Sequence, residues 1–283
     1  MTCDVNGVTY TVGPTSSMVV RRDGGMMKAT GSQAEPGTSA GPGWTRRPTS
    51  LTAAVTAELV QRVVRGIYSP GVTLPPEPVL CETFSVSRTV IREAVKVLQE
   101  KGLVRVRQGA GTTVNPQTQW NMLDELVLGA TIAEDETLAV LDDLVVTRRL
   151  LESDMAQVAA RTADQDTLDR LRALVDRMDE LVDDTPAYEE HDRLFHDTIM
   201  QASGNRIARG VVRSLEAQAI NTPGYLGKSG RDMCKASNRG HRRIYDRIAA
   251  QDAAGAAKAM FTHITEAWLV RRGEVGDPSR LKR

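Results

Sequence analysis

Cysteine is scarce: Cys3, Cys81 and Cys234 stand far apart, with no CxxC pair and an odd total. That excludes a disulfide framework and a cysteine zinc site, and Cys81 reads as a small helix residue. Aromatic side chains make up only 4% of the chain, too few for the stacking platforms that hold single-stranded nucleic acid. No run reaches the roughly 18 uncharged apolar residues of a membrane span. The N-terminus also lacks a basic start leading into an apolar core. A soluble, cytoplasmic protein with no membrane partner is expected. Histidine is sparse too, four in 283 residues, and no HExxH motif sets two of them about a glutamate.

What is present is enough apolar residue, 41% of 283, to fill ordinary cores, and a length that suits two domains. The formal net charge of zero hides an asymmetry. From Trp44 to Pro116 ten Lys plus Arg face five Asp plus Glu, whereas from Gln117 onward the count is 23 against 28. A basic half and an acidic half suit a chain of which one part meets a polyanion.

Residues 1–48 are rich in Gly, Ser, Thr and Pro, most clearly from Gly31 to Gly43, and read as a disordered extension. From Leu51 the pattern changes. Ala54, Leu59, Val63 and Val64 lie near helical spacing and the segment ends at Gly66. Pro70-Gly71 makes a turn, and Pro75-Pro76 opens a short second helix that Ser85 interrupts. Ser87 caps a third, with Val90, Ile91, Ala94, Val95 and Leu98 on one face and Gly102 as its stop. Val104 and Val106 then alternate with Arg105 and Arg107, Gly109-Ala110-Gly111 turns the chain, and Thr112 to Val114 returns. Beyond Pro116 every long segment looks helical: about 120–130, 136–162, 165–183, 186–203, 205–220, 232–250 and 253–271.

The expected fold is mainly α: a winged helix-turn-helix over 49–116, then an antiparallel bundle of about seven helices over 117–275, with a flexible tail at 276–283. In such a module the third helix enters the major groove N-terminal end first, which puts Arg88, Thr89 and Arg92 foremost. Arg88, Arg92 and Lys96 recur every four residues and form one cationic stripe. Arginine's planar fork grips a guanine edge or a phosphate, whereas Lys96 acts as a point charge. A basic stripe on a lone helix is usually a solvated face. Here the serine cap, the glycine-turned wing with Arg105 and Arg107, and the local positive charge favour double-stranded operator DNA. Gly109, Gly111 and Thr112 belong to that surface as the shape of the wing.

The stretch LPPEPVLCETFSVSRTVIREAVKVLQEKGLVRVRQGAGTTV resembles the winged-helix signature of the GntR family of bacterial regulators, a likeness covering residues 51–114. It rests on Leu74, Pro75 and Glu77; Val86, Ser87 and Arg88; Arg92, Glu93 and Ala94; Gly102-Leu103-Val104; and Gly109, Gly111 and Thr112. The family usually carries an arginine after the glutamate of its LPxE element, and this chain has Pro78, so that DNA contact is missing.

In the second half His196, His241 and His263 fall on three different expected helices, and Asp192 lies one helical turn before His196. An i, i+4 pair plus one imidazole from each of two more helices encloses a divalent ion in a bundle core. Such a set suits zinc first, with nickel, manganese or iron as alternatives. A single histidine is more often a hydrogen-bonded or surface residue, and His191, five positions before His196, reads that way. Spacing alone leaves the metal reading of the other three balanced against that one.

The stretch from Trp120 to Arg271 resembles the helical, FCD-type effector domain of the FadR-like subgroup of GntR regulators. WNMLDELVL, TRRLLESDMAQVAA, HDRLFHDTIMQASGN, GHRRIYDRIAAQD and AMFTHI carry the likeness. It implies that Asp192, His196, His241 and His263 are the metal ligands. It implies too that a small organic or sugar acid binds beside the metal with help from Arg148 and Asn205. The plain alternative for Arg148 is a surface ion pair to Asp142 or Asp143, and Val146 stands where the family usually has an acidic residue. The functional expectation is a homodimeric repressor on a palindromic operator, tuned by a carboxylate metabolite. Its rivals are a metal-dependent hydrolase or lyase, with Glu189 as base, and an architectural DNA-binding protein with no small-molecule response.

Overall fold

The structure is a computed structural model and describes residues 2–5, 8–11, 50–220, 222, 225 and 230–273. Thr2–Val5 (β1) and Val8–Thr11 (β2) pair antiparallel, Thr2 opposite Thr11 and Val5 opposite Val8. This hairpin is an addition to the disordered extension expected over 1–48. Its signal was in the sequence, since strand-favouring Val, Thr and Tyr flank Asn6-Gly7, a dipeptide suited to a two-residue hairpin turn. The rest of 1–48 up to Thr49, and the tail expected at 276–283, lie outside the described residues.

From Arg47 onward the chain forms one compact unit with two main hydrophobic cores. The first belongs to the winged helix. Leu51–Val64 (α1) starts where the Ser50 hydroxyl accepts the Ala53 N–H at 3.2 Å. Glu77–Phe84 (α2) follows Pro76 and stops at Ser85, whose φ of 53° breaks the helix where the sequence placed the interruption. Arg88–Glu100 (α3) is capped by Ser87, which accepts the Val90 N–H at 3.5 Å. Its Ile91, Ala94 and Leu98 are buried at helical spacing. Val104–Arg107 (β3) and Gly111–Val114 (β4) pair antiparallel as the wing, Arg107 opposite Gly111. The segment before α2 braces the wing, as the Leu74 N–H donates to the Thr112 carbonyl at 2.7 Å. Sequence reading had no third partner for these strands.

Glu125–Glu134 (α4) is short, and Asp124 caps it by accepting the Leu126 and Val127 N–H groups at 3.0 and 3.2 Å. The division expected at 116/117 does not separate the two cores, because α4 serves both. Val127 and Ala130, with Trp120, lie in the winged-helix core, and Leu128 and Ile132 lie in the core of the bundle. A helix apolar on nearly all sides can do this. Lys101, which ends α3, pairs with Asp124 at the start of α4.

The bundle comprises Ala139–Thr162 (α5), Gln165–Glu180 (α6), Thr185–Ala202 (α7), Arg206–Ala219 (α8), Arg231–Ala249 (α9) and Ala253–Arg272 (α10). Several of the joints span only two or three residues, which makes those neighbours antiparallel. Helix α5 lies at the centre, packed most extensively on α10, with α7, α8 and α9 around it. Phe195, Ile199, Ile244 and Met260 are buried between them. Asp142 and Arg272 form a buried fork at 2.8 Å in both limbs, and Trp268 Nε1 donates to the same carboxylate at 2.8 Å. Asp142 is therefore the anchor of the C-terminal helix and not the partner of Arg148.

Candidate functional site

The winged helix presents one basic face. Arg88, Thr89, Arg92 and Lys96 on α3, and Arg105 and Arg107 on β3, are all exposed, as are Gly109 and Gly111 at the wing tip, while Thr112 is half-buried. Arg92 Nε donates to Glu77 at 2.7 Å and Arg88 lies 3.9 Å from the same carboxylate, so Glu77 on α2 orients both arginines. With Arg92 lying on the surface this pairing is weak and gives way readily to a phosphate or base edge. Gly111 sits at φ 81°, and a Cβ there would come within 3.1 Å of the Thr73 methyl, so the return of the wing needs glycine.

In the bundle Asp192, His196, His241 and His263 each offer one ligand atom, all within 4.8 Å of one another. The three histidines are buried. His196 Nε2 faces His263 Nε2 at 3.3 Å, and His241 Nε2 lies 3.1 Å from an Asp192 oxygen. Neither ring nitrogen of buried His241 has a well-formed hydrogen bond. Nitrogens that converge on one another without donors between them are the donor set of a divalent ion, so the residues present fit such a group. The other nitrogen of His196, Nδ1, is held at 2.6 Å by the buried carboxylate of Glu152. A carboxylate in this position would fix the ring and tautomer of His196 if it held a metal.

The electrostatics favour neutral imidazoles at two positions. Burial pushes His263 well below its ordinary value, and His241 and His196 add to that. Burial also lowers His241, outweighing the attraction of Asp192. For His196 burial acts in the same direction, but the Glu152 carboxylate prevails and raises it. Glu152 itself, although burial opposes ionisation, is held down to about 2 by Arg148 and His196.

Gly240 on α9 was not singled out from sequence, yet a Cβ there would lie 2.3 Å from His263 Nδ1. The absence of a side chain is what lets His263 reach the cluster. Gly→Ala inside a helix ordinarily stabilises by about 0.5–1 kcal/mol. Gly240→Ala is instead expected to displace the His263 ring and weaken metal affinity by about 10- to 100-fold, the size of an outer-shell defect. A zinc titration with a competing chelator measures it. Wild-type affinity in the variant would show that His263 is not a ligand.

Arg148 is buried and lines the cavity beside the ligands, so the surface ion pair weighed for it does not form. Its guanidinium is shared among Glu152 at 2.8 Å, Glu216 on α8 at 2.7 Å and the Tyr225 hydroxyl. Asn205 spends its side chain capping α8, accepting the Ala208 N–H at 3.0 Å, and lines neither cavity beside the four ligands. His191 stays outside the cluster, its Nδ1 2.8 Å from the Ala187 carbonyl. Glu152, one turn after Arg148, was missed because its partner His196 is 44 residues away and only the fold joins them.

A basic winged helix joined through α4 to a helical bundle with a buried histidine–carboxylate cluster has the organisation of a two-domain DNA-binding regulator. Comparison with known proteins agrees. The sequence model of bacterial regulatory proteins, gntR family, matches residues 51–114, and that of the FCD domain, a domain that commonly binds a metal, matches 143–266. The chain is 36% identical over 158 residues to the uncharacterized HTH-type transcriptional regulator YieP of Escherichia coli strain K12, covering 55% of this chain and 69% of that one. It is 31% identical over 225 residues to the Uxu operon transcriptional regulator of the same strain, covering 77% and 84%. It is 29% identical over 216 residues to that strain's galactonate operon transcriptional repressor, covering 75% and 93%. Among solved structures, Lar, described as controlling expression of the Listeria monocytogenes agr system, shares the fold. Its TM-score is 0.51 at 19% identity, over 79% of this chain and 97% of that one. The chain belongs to the GntR family of transcriptional regulators, with the FCD domain of its FadR-like subgroup.

Proposed function

We propose that the protein is a cytoplasmic, homodimeric repressor that binds a palindromic operator and is released from it, or tightened on it, by a small carboxylate held on a divalent metal. The observation that carries this reading is the convergence of Asp192, His196, His241 and His263 within 4.8 Å inside a bundle whose core continues through α4 into the winged helix. A nitrogen-rich set with one carboxylate suits zinc, with nickel, manganese or iron as alternatives. The relatives named for the galactonate and Uxu operons support an acidic metabolite as effector.

The charged side chains that line the cavity are Asp192, Arg148 and Arg271, and Arg148 is itself paired with Glu152 and Glu216. A packed route to DNA also exists: Arg148 grips Glu216 on α8, α8 packs on α4, and Asp124 at the start of α4 grips Lys101 at the end of α3. An effector alters DNA affinity only by its differential affinity for the two states, and a coupling of about 1–3 kcal/mol is expected.

The test is operator binding by wild type, Arg88→Ala and Arg92→Ala, each with and without metal and carboxylate. Loss of about 1–3 kcal/mol per arginine is expected if each meets a base edge. Full affinity in both variants would remove the recognition helix from the contact. Affinity that no metal–carboxylate combination alters would favour the architectural alternative.

A further inference from the structure

The cavity onto which three of the four candidate ligands open does not end at them. Asp192, His196 and His263 line it together with Arg148 and Arg271. It shares Ser237, His263, Ala267 and Arg271 with a second cavity between α7, α9 and α10, so the two adjoin.

Three observations bear on what the second cavity takes. Tyr188 on α7 lines it and is 2% exposed, and its hydroxyl has Ser237 beside it but no hydrogen bond of good geometry among the described residues. A buried hydroxyl left unpaired costs about 1–3 kcal/mol, and a ligand that pairs it recovers that cost. Arg271, in the last turn of α10, borders both cavities and meets no carboxylate at ion-pair distance among the described residues. Its guanidinium rests 5.7 Å from the Tyr225 ring. Arg148, by contrast, is already divided among two carboxylates and a phenol. The cation with capacity left for an incoming acid is therefore Arg271. Between these polar groups Met233, Cys234, Ala236 and Val270 give an apolar wall along which a carbon chain lies.

We propose that the second cavity is a distal subsite for the effector. The acid end sits between the metal ligands and Arg271, and a hydroxyl or carbonyl farther along the chain pairs with the Tyr188 hydroxyl. This rests on the reading of a metal-held carboxylate above and names the effector's chemistry: a carboxylic acid with a hydrogen-bonding group remote from its acid end. The Tyr188 and His241 ring centroids are 6.5 Å apart.

The experiment uses zinc-loaded full-length protein and calorimetric titration with three probes. These are glycolate, which offers only a metal-binding end; hexanoate, with the length but no hydroxyl; and a set of aldonates of four to six carbons. At least one aldonate is expected to bind about tenfold tighter than glycolate or hexanoate. Tyr188→Phe is expected to lower that aldonate's affinity about five- to tenfold while leaving glycolate affinity and zinc content unchanged. Arg271→Gln is expected to weaken all the acids that bind. If glycolate binds but no aldonate exceeds it, or if hexanoate exceeds them, or if Tyr188→Phe leaves the best aldonate unchanged, the distal subsite is overturned and the metal–carboxylate reading survives. If no acid binds zinc-loaded protein, the metal–carboxylate reading itself is overturned, and the subsite with it.

Discussion

The His241→Ala, His263→Ala double variant is expected to purify with background metal only, against about one ion per chain for wild type loaded with zinc, as elemental analysis would read. Two of the four ligand atoms are removed, and those of His196 and Asp192 come from a single turn of α7 and cannot enclose an ion alone. At a metal concentration about 100 times its dissociation constant, the bound ion stabilises the wild type by about 2.7 kcal/mol. Its loss should lower the Tm by about 5 to 10 °C and abolish the response to chelator. Equal metal content in the two proteins would end the metal assignment.

Acid should release the ion as well, since the ligands must be neutral to bind it. In the metal-free protein His241 and His263 are lowered from the ordinary value near 6.5, mainly by burial, so the unfolded chain takes up their protons first. The stability they contribute is present above about pH 6.5 and is lost as pH falls toward their folded values. His196, raised by Glu152 against the pull of burial, has the opposite sign: its contribution is present below about pH 6.5 and lost as pH rises through its folded value. With two groups against one, chelator-treated protein is expected to melt lower at pH 5.5 than at pH 7.5. A higher Tm at the acid end would mean that the His196–Glu152 pair dominates.

Asp142→Ala is expected to destabilise the chain by about 3–5 kcal/mol, because it leaves the Arg272 charge buried without the carboxylate that holds both limbs of its fork. Trp268 Nε1 loses its acceptor in the same step. At roughly 2–4 °C per kcal/mol for a domain of this size, the Tm should fall by about 6–20 °C. The consequence reaches the effector site, since Arg271 and Trp268 stand on the turn that this fork pins, and both line the cavity of the metal ligands. A variant that melts within about 2 °C of wild type would show that Arg272 finds water or another partner at little cost.

The helical elements were legible in advance because their signals are local. Ser87 as a cap, Ser85 as a break and Gly111 at a turn each act on their own neighbours, and the structure places them in those roles. The candidate ligand cluster was legible for a different reason: spacing left the metal reading of the histidines balanced, and the resemblance to FCD-type domains singled out Asp192, His196, His241 and His263, which the fold brings together. Arg148 shows the limit, since beside its expected effector role the alternative weighed for it was an ion pair to Asp142 or Asp143, a few residues upstream on its own helix. The fold turned it inward to Glu152 and Glu216 and gave Asp142 to Arg272, 130 residues away.

The sequence by itself determined two things: which segments are helical, though the helix expected at about 120–130 runs from Glu125 to Glu134, and which residue types occur in numbers small enough to be informative. Capping, periodicity and charge spacing are short-range effects, complete within a few residues. Only the tertiary structure decided that α4 serves two cores, that Gly240 makes room for His263, and that Glu152 orients His196. It alone left the Tyr188 hydroxyl buried without a well-formed bond. These depend on which helix faces meet, which close packing of the whole chain settles and no local pattern encodes.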